Sequence, residues 1–152
     1  NDAPSAVTRL LDLGTPAYLL NATLLGVMAQ RLVRTLCPQC KQASPLTHEE
    51  EEIWQAMVSP WKAAKPQKVY HPVGCLDCRM TGYVGRVGLY EIMLMSPELR
   101  KLVTPATELA RVRELAYREG MKPLRISGAM KVAAGLTTLE EVLQVAPPAQ
   151  NE

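Results

Sequence analysis

The sequence predicts an α+β fold, mostly helical, in which a small β module carrying all four cysteines is flanked by helices. Three observations predict it. The cysteines fall in two matched pairs, "CPQC" at Cys37 to Cys40 and "CLDC" at Cys75 to Cys78. Two β-rich runs, "KVYHPV" and "YVGRVGLYEIML", bracket the second pair. The rest of the chain carries helical spacing and helix punctuation.

A globular chain of 152 residues buries roughly 70% of its unfolded surface, so it needs no cross-links merely to have a core. With 47% hydrophobic and 21% charged residues the composition is that of a folded protein, although Phe is absent. Seventeen basic against fifteen acidic residues leave a formal charge of +2, which gives no reason to expect nucleic acid or an anionic membrane as partner. The start, "NDAPSAVTRLLDLG", reads as a capped helix rather than a secretory signal. The longest apolar stretch, Ala17 to Ala29, falls short of the ~20 residues that span a bilayer. Without an initiator Met, and beginning in structured-looking sequence, the chain reads as a fragment of a larger protein.

Asp2 is the expected cap of a first helix that stops at Gly14. A second helix is expected from Thr15 as cap and Pro16 at its first position. Leu20, Leu24, Val27, Met28 and Leu32 recur at helical spacing, so this helix is expected to carry "AQRLVRTL" into the first cysteine pair. Thr47 and Glu50 form a capping-box pattern before "EEEIWQAM", where the acids Glu49 to Glu52 complement the helix dipole rather than bind a metal. Pro60 and Pro66 make 59–67 a loop. After the β runs, Ser96-Pro97 opens a short helix. Thr104 or Thr107 opens another, ending at Gly120, and Pro123 to Ala134 makes a third, with Gly128 inside it. Thr137 and Glu140 suggest a second capping box opening "LEEVLQV", and "APPAQNE" is expected to fray.

Paired Cys-x2-Cys turns supply the four soft ligands that tetrahedral zinc prefers, which makes Cys37, Cys40, Cys75 and Cys78 a candidate metal site. A redox pair fits less well, since there are two pairs and no βαβ pattern. Two structural disulfides would need an oxidising compartment that nothing in the sequence supports. Pro38 stiffens the first turn, and Gly74 admits a tight entry to the second. Lys41 and Arg79, each directly after a pair, either offset the negative charge of a four-thiolate site or are ordinary surface residues. His71 reads as a strand residue rather than a fifth ligand. Four cysteine ligands leave no open position, so the metal's expected role is structural. No Gly-x4-Gly-Lys-Ser/Thr loop occurs, and Gly82, Gly85 and Gly88 lack the helix start that a phosphate loop needs. With two histidines and no Gly-x-Ser-x-Gly, the chain alone is not expected to be an enzyme.

Four blocks in order, "NDAPSAVTRLLDLG", "LLGVMAQRLVRTLCPQCK", "GCLDCRMTGYVGRVGLYEIM" and "KVAAGLTTLEEVLQV", resemble the C-terminal part of the bacterial secretion ATPases, the motor proteins of type II secretion and type IV pilus assembly. The resemblance runs from Asn1 to Val145 and is weakest at 47–68. It implies a cytoplasmic homo-hexameric motor, peripheral at the inner membrane through a platform protein, with no membrane insertion and no nucleic acid. The Walker motifs that take ATP and magnesium would lie upstream, in the full-length parent. On this reading 1–36 is the helical tail of the motor domain. The four-cysteine subdomain with a helical insertion is 37–95, the C-terminal helical region is 96–146, and 147–152 is a disordered tail. Gln30, Arg31 and Arg34 match a family block and are candidates for subunit contact or nucleotide-linked movement; the alternative is exposed polar positions of an amphipathic helix. Arg86 and Glu91 also match and read as structural. The competing function is a free-standing zinc-ribbon-like domain that binds nucleic acid or protein, which the 5% aromatic content does not favour.

Overall fold

The computed structural model describes residues 2–147. Among them lie seven helices and two small two-stranded sheets, a mixed α+β architecture. No helix is long and apolar enough to cross a membrane. The chain divides into two compact units, each assembled from segments distant in sequence: 1–30 with 90–123, and 31–89 with 124–152.

In the first unit, helix α1 (Ala3–Asp12) starts where expected, with the Asp2 carboxylate accepting the Ser5 amide at 3.1 Å. Asp2 also receives Arg113 at 2.6 Å from α5 (Leu109–Arg118). The buried carboxylate of Glu91 accepts the Ala3 amide at 2.8 Å, so two acids hold the amides that open α1. Met93, Leu99, Val112 and Met121 join Val7 and Leu20 in one apolar core. The second helix is shorter than expected and starts one residue later. Pro16 stands at its cap and α2 covers Ala17–Thr23. The block "AQRLVRTL", whose residues from Arg31 onward belong to the second unit, is not helical: it lies in the strand β1 (Gly26–Leu36), which pairs with β4 (Tyr83–Leu94). Met28 and Leu32, which the helical spacing put on the apolar face, are 60% and 46% exposed, while Val33 is 2% exposed. The run fits both periods, and pairing with a strand remote in sequence decides between them. Ser96 caps α4 (Pro97–Leu102) as expected. α5 does not begin at either threonine. Glu108 takes the cap position without a side-chain bond, and the Thr107 hydroxyl closes the preceding turn by accepting the Thr104 amide at 2.8 Å.

In the second unit, β2 (Gln42–Pro45) pairs antiparallel with β3 (Lys68–His71), Gln42 opposite His71 and Pro45 opposite Lys68. Helix α3 (His48–Val58) carries the full capping box: Glu50 N–H to Thr47 Oγ1 at 3.2 Å and Thr47 N–H to Glu50 Oε1 at 3.0 Å. Its Trp54 and Met57 are core residues. Arg125, in α6 (Leu124–Ala133), donates to the carbonyls of Met57 and Ser59 at 2.9 and 3.0 Å and so closes the C-terminus of α3. Gly128 in α6 faces Val142 in α7 (Leu139–Val145) so closely that a Cβ there would stand 2.3 Å from a Val142 methyl. The cap of α7 is Thr138, which accepts the Glu141 amide at 3.2 Å, not Thr137. Thr137 instead donates to the Arg34 carbonyl of β1 at 2.8 Å, and Glu141 turns to Arg34 rather than back to the cap, so no second capping box forms. From 148 onward the expected frayed tail lies outside the described residues.

Candidate metal centre

Two strand pairs bring the cysteines together. β1 runs into Cys37 and β2 leaves after Cys40, while β3 leads to Cys75 and β4 begins after Cys78. The Gln42–His71 register puts the end of the first cysteine turn beside the entry to the second. At the other end, the Cys37 amide donates to the Gly82 carbonyl at 2.9 Å. Turns shape each pair locally: Lys41 N–H to Cys37 O at 3.1 Å, and Met80 N–H to Cys75 O at 2.8 Å. Gly74 has φ +107, and a Cβ there would meet the Met80 carbonyl oxygen at 2.9 Å, so the tight entry read from the sequence is a backbone requirement.

The four Sγ atoms lie within 4.8 Å of one another, and all four cysteines are free. Cys37 and Cys75 are 3.8 Å apart, Cys40 and Cys78 3.9 Å, Cys75 and Cys78 3.7 Å. A tetrahedron with metal–sulfur bonds of ~2.3 Å has sulfur–sulfur edges of ~3.8 Å, so the donor set fits a four-sulfur metal site. Backbone amides complete it. Gly74 N–H points at Cys40 Sγ at 3.3 Å, and the amides of Cys75 and Gly82 point at Cys78 Sγ at 3.2 Å each. Such donors spread the negative charge of clustered thiolates. Burial alone would push the Cys78 thiol up; the Cys75 and Gly82 amides and the neighbouring Cys75 and Cys40 thiols outweigh it and bring Cys78 down to about 6. The Cys78 amide favours a charged Cys75, but burial and hydrogen bonds with the Cys78 and Cys37 sulfurs prevail and raise Cys75 to about 11.

Lys41 directs its ammonium to the Gly135 carbonyl at 2.9 Å and lies over the Tyr70 ring. Arg79 is an exposed residue with φ +56 in the second turn. His71 is a strand residue, between Ser44 Oγ at 3.1 Å and Glu50 Oε2 at 2.9 Å. Gln30, Arg31 and Arg34 sit on β1, a strand rather than the amphipathic helix of the alternative reading. Gln30 is exposed and donates to the Tyr90 hydroxyl at 3.2 Å. Arg34 stacks over Tyr83 at 4.1 Å and makes an ion pair with the buried Glu141 at 2.7 Å. The sequence marks Gly82 only by its glycine spacing. In the fold its amide serves Cys78, its carbonyl serves Cys37, and its φ is +82. The amide contact with Cys78, four residues back, is local, whereas the carbonyl contact with Cys37 arises from folding.

The family model for "Type II/IV secretion system protein" matches residues 1–144. The chain belongs to this family. Its relatives include the "Type IV pilus assembly ATPase TfpB" of Acinetobacter baylyi, 49% identical over 147 residues, 97% of this chain and 25% of the relative. The "Type II secretion system protein E" of Aeromonas hydrophila is 41% identical, over 95% of this chain and 28% of the relative. The "Type IV pilus assembly ATPase PilB" of Myxococcus xanthus is 43% identical, over 94% and 25%. The chain thus spans about a quarter of the length of these secretion-system relatives.

Proposed function

We propose that this chain is the metal-stapled C-terminal region of a hexameric cytoplasmic ATPase that powers type II secretion or type IV pilus assembly. The observation that carries the reading is the four-sulfur cluster at tetrahedral spacing in a chain of the secretion family. Cys37, Cys40, Cys75 and Cys78 hold one zinc. When bound, the metal supplies a cross-link between the two cysteine turns, with no open position for chemistry. Everything else is done by the protein: the turns orient the sulfurs, and the amides of Gly74, Cys75 and Gly82 hold two of them in place.

In this reading the centre fixes the exit of β1 against the start of β4 through the Cys37–Gly82 bond, while Arg34 and Glu141 tie β1 to the C-terminal helix α7. Gln30, Arg31 and Arg34 lie on the strand that leads into the centre, so subunit contact or nucleotide-linked movement would reach the metal turn along β1. ATP and magnesium bind outside this chain, in the full-length motor, which meets the inner membrane through a platform protein. The family match and the names of its relatives support this assignment. The test is metal analysis of the purified chain together with secretion or piliation assays on the full-length protein carrying Cys40→Ser. One zinc per chain, with lost transport and unchanged nucleotide binding in the variant, is expected. A chain without zinc, or a variant with normal transport, overturns the reading.

A further inference from the structure

We propose that the groove between α3, β3 and α7 is a docking site for a basic amphipathic segment of a partner protein. The groove lies wholly within the second unit and has a volume of about 320 Å³. Residues four apart share a helix face, so Glu49 and Ile53 on α3 form one wall and Leu139 and Leu143 on α7 the other. Val69 of β3 and Pro72 complete the apolar lining. Val69 and Leu139 are buried, whereas Ile53 and Leu143 are only half-buried and Pro72 is exposed. The side chains of Thr138 and His71, which also line the groove, are already engaged. Thr138 Oγ1 accepts the Glu141 amide at 3.2 Å and meets the Tyr83 hydroxyl at 3.1 Å, and His71 lies between Ser44 and Glu50. An occupant therefore gains chiefly by covering apolar surface.

Charge selects the occupant. Three carboxylates edge the groove, Glu49, Glu50 and Glu140. Acids in the first turn suit both helix starts, but their cationic partners are unevenly shared. Glu50 meets His71 at 2.9 Å, Glu51 meets Lys65 at 2.8 Å, Glu52 meets His48 at 3.0 Å and Glu141 meets Arg34 at 2.7 Å. Glu49 and Glu140, both exposed, have no ion-pair partner among the described residues. The nearby cations are held elsewhere. Lys41 serves the Gly135 carbonyl and the Tyr70 ring, Lys68 lies over the same ring, and Arg34, which Glu140 feels only at a distance, serves Glu141. Two uncompensated carboxylates beside an apolar opening repel nucleic acid and anionic membrane and attract lysine or arginine. The fitting occupant is a helix that seats leucine-sized side chains between Ile53 and Leu143 and sets cations against Glu49 and Glu140.

The experiment titrates the whole chain with a fluorescent synthetic helix of leucine, alanine and lysine, its leucines spaced i, i+3, i+4 and i+7. A second helix carries glutamate in place of lysine. Anisotropy reads affinity, and amide NMR shifts locate the site. The lysine helix is expected to shift 49–53, 69–71 and 139–143, and to bind at least roughly tenfold more tightly than the glutamate helix. Glu49→Gln combined with Glu140→Gln, both at exposed positions, should weaken binding roughly threefold to tenfold and reduce its salt dependence. Leu143→Ala should cost roughly tenfold. No binding, equal affinity for the two helices, unchanged affinity in the double Gln variant, or shifts outside the groove overturns the proposal. So do groove shifts produced by self-association of the chain, or by phosphatidylglycerol vesicles instead of the lysine helix, which would make a second copy or a membrane the occupant.

Discussion

Gly82 is where the geometry makes its sharpest demand. In Gly82→Ala the new methyl meets two obstacles. A residue at φ +82 pays no penalty as glycine, but an L side chain there costs about 1–2 kcal/mol. The Cβ would also stand 2.4 Å from the Pro72 Cβ and 3.0 Å from its Cα. A proline ring cannot swing aside, so relief requires a backbone shift, and overpacking of this kind costs about 1–3 kcal/mol. That shift would displace the very groups that serve the centre, the amide to Cys78 and the carbonyl to Cys37. If the combined cost of about 2–5 kcal/mol falls on the metal-competent state, affinity drops at least roughly thirtyfold. Gly85→Ala is the control. Gly85 has φ +76 but nothing within 4 Å of an added methyl, so it carries the backbone cost alone. Chelator competition, read through the absorption of the cobalt-substituted site, compares the two. Both variants should melt lower than the parent, and only Gly82→Ala should lose more than about tenfold in affinity. Equal metal affinity in the two variants would refute the claim that Gly82 joins the cysteine turns.

Cys40→Ser leaves three sulfur ligands and should strip hydrogen-exchange protection from 37–86 while α4 and α5 keep theirs; unchanged protection would mean that the metal is not the staple. Burial raises the Glu141 carboxyl, but hydrogen bonds from the Arg34 side chain and amide outweigh it and hold the group below its ordinary 4.5. The pair therefore adds stability above that value and loses it as pH falls through the depressed pKa, so Glu141→Gln should flatten the acid limb of a stability–pH profile. Since Arg34 is half exposed, Arg34→Ala should cost only about 1–3 kcal/mol near neutral pH by denaturant titration. Gly128→Ala gains about 1 kcal/mol of helix propensity but drives a methyl to within 2.3 Å of the rigid, fully buried Val142, so a net loss of stability is expected. Adding Val142→Ala should recover part of that loss; additive losses in the double variant would rule out the α6–α7 contact as the cause.

The two cysteine turns were legible because their information is local. Two residues between cysteines define a turn, and the pairs Cys37/Cys40 and Cys75/Cys78 mark the four candidate sulfurs without any tertiary input. The same holds for Asp2 and the Thr47–Glu50 box, each of which satisfies its own backbone within a few residues. What failed was information stored at long range. "AQRLVRTL" suits a helix and a strand equally by spacing, and β4, some fifty residues on, supplies the hydrogen bonds that make it β1. Thr137 and Thr138 are indistinguishable as caps until the Arg34 carbonyl claims one hydroxyl. The sequence by itself determined the four sulfurs and the helix caps at Asp2, Thr47 and Ser96, because turns and caps depend on neighbouring residues. Only the tertiary structure decided the strand into Cys37, the Arg34–Glu141 pair and the joining role of Gly82, because each depends on groups that folding alone brings within hydrogen-bond reach.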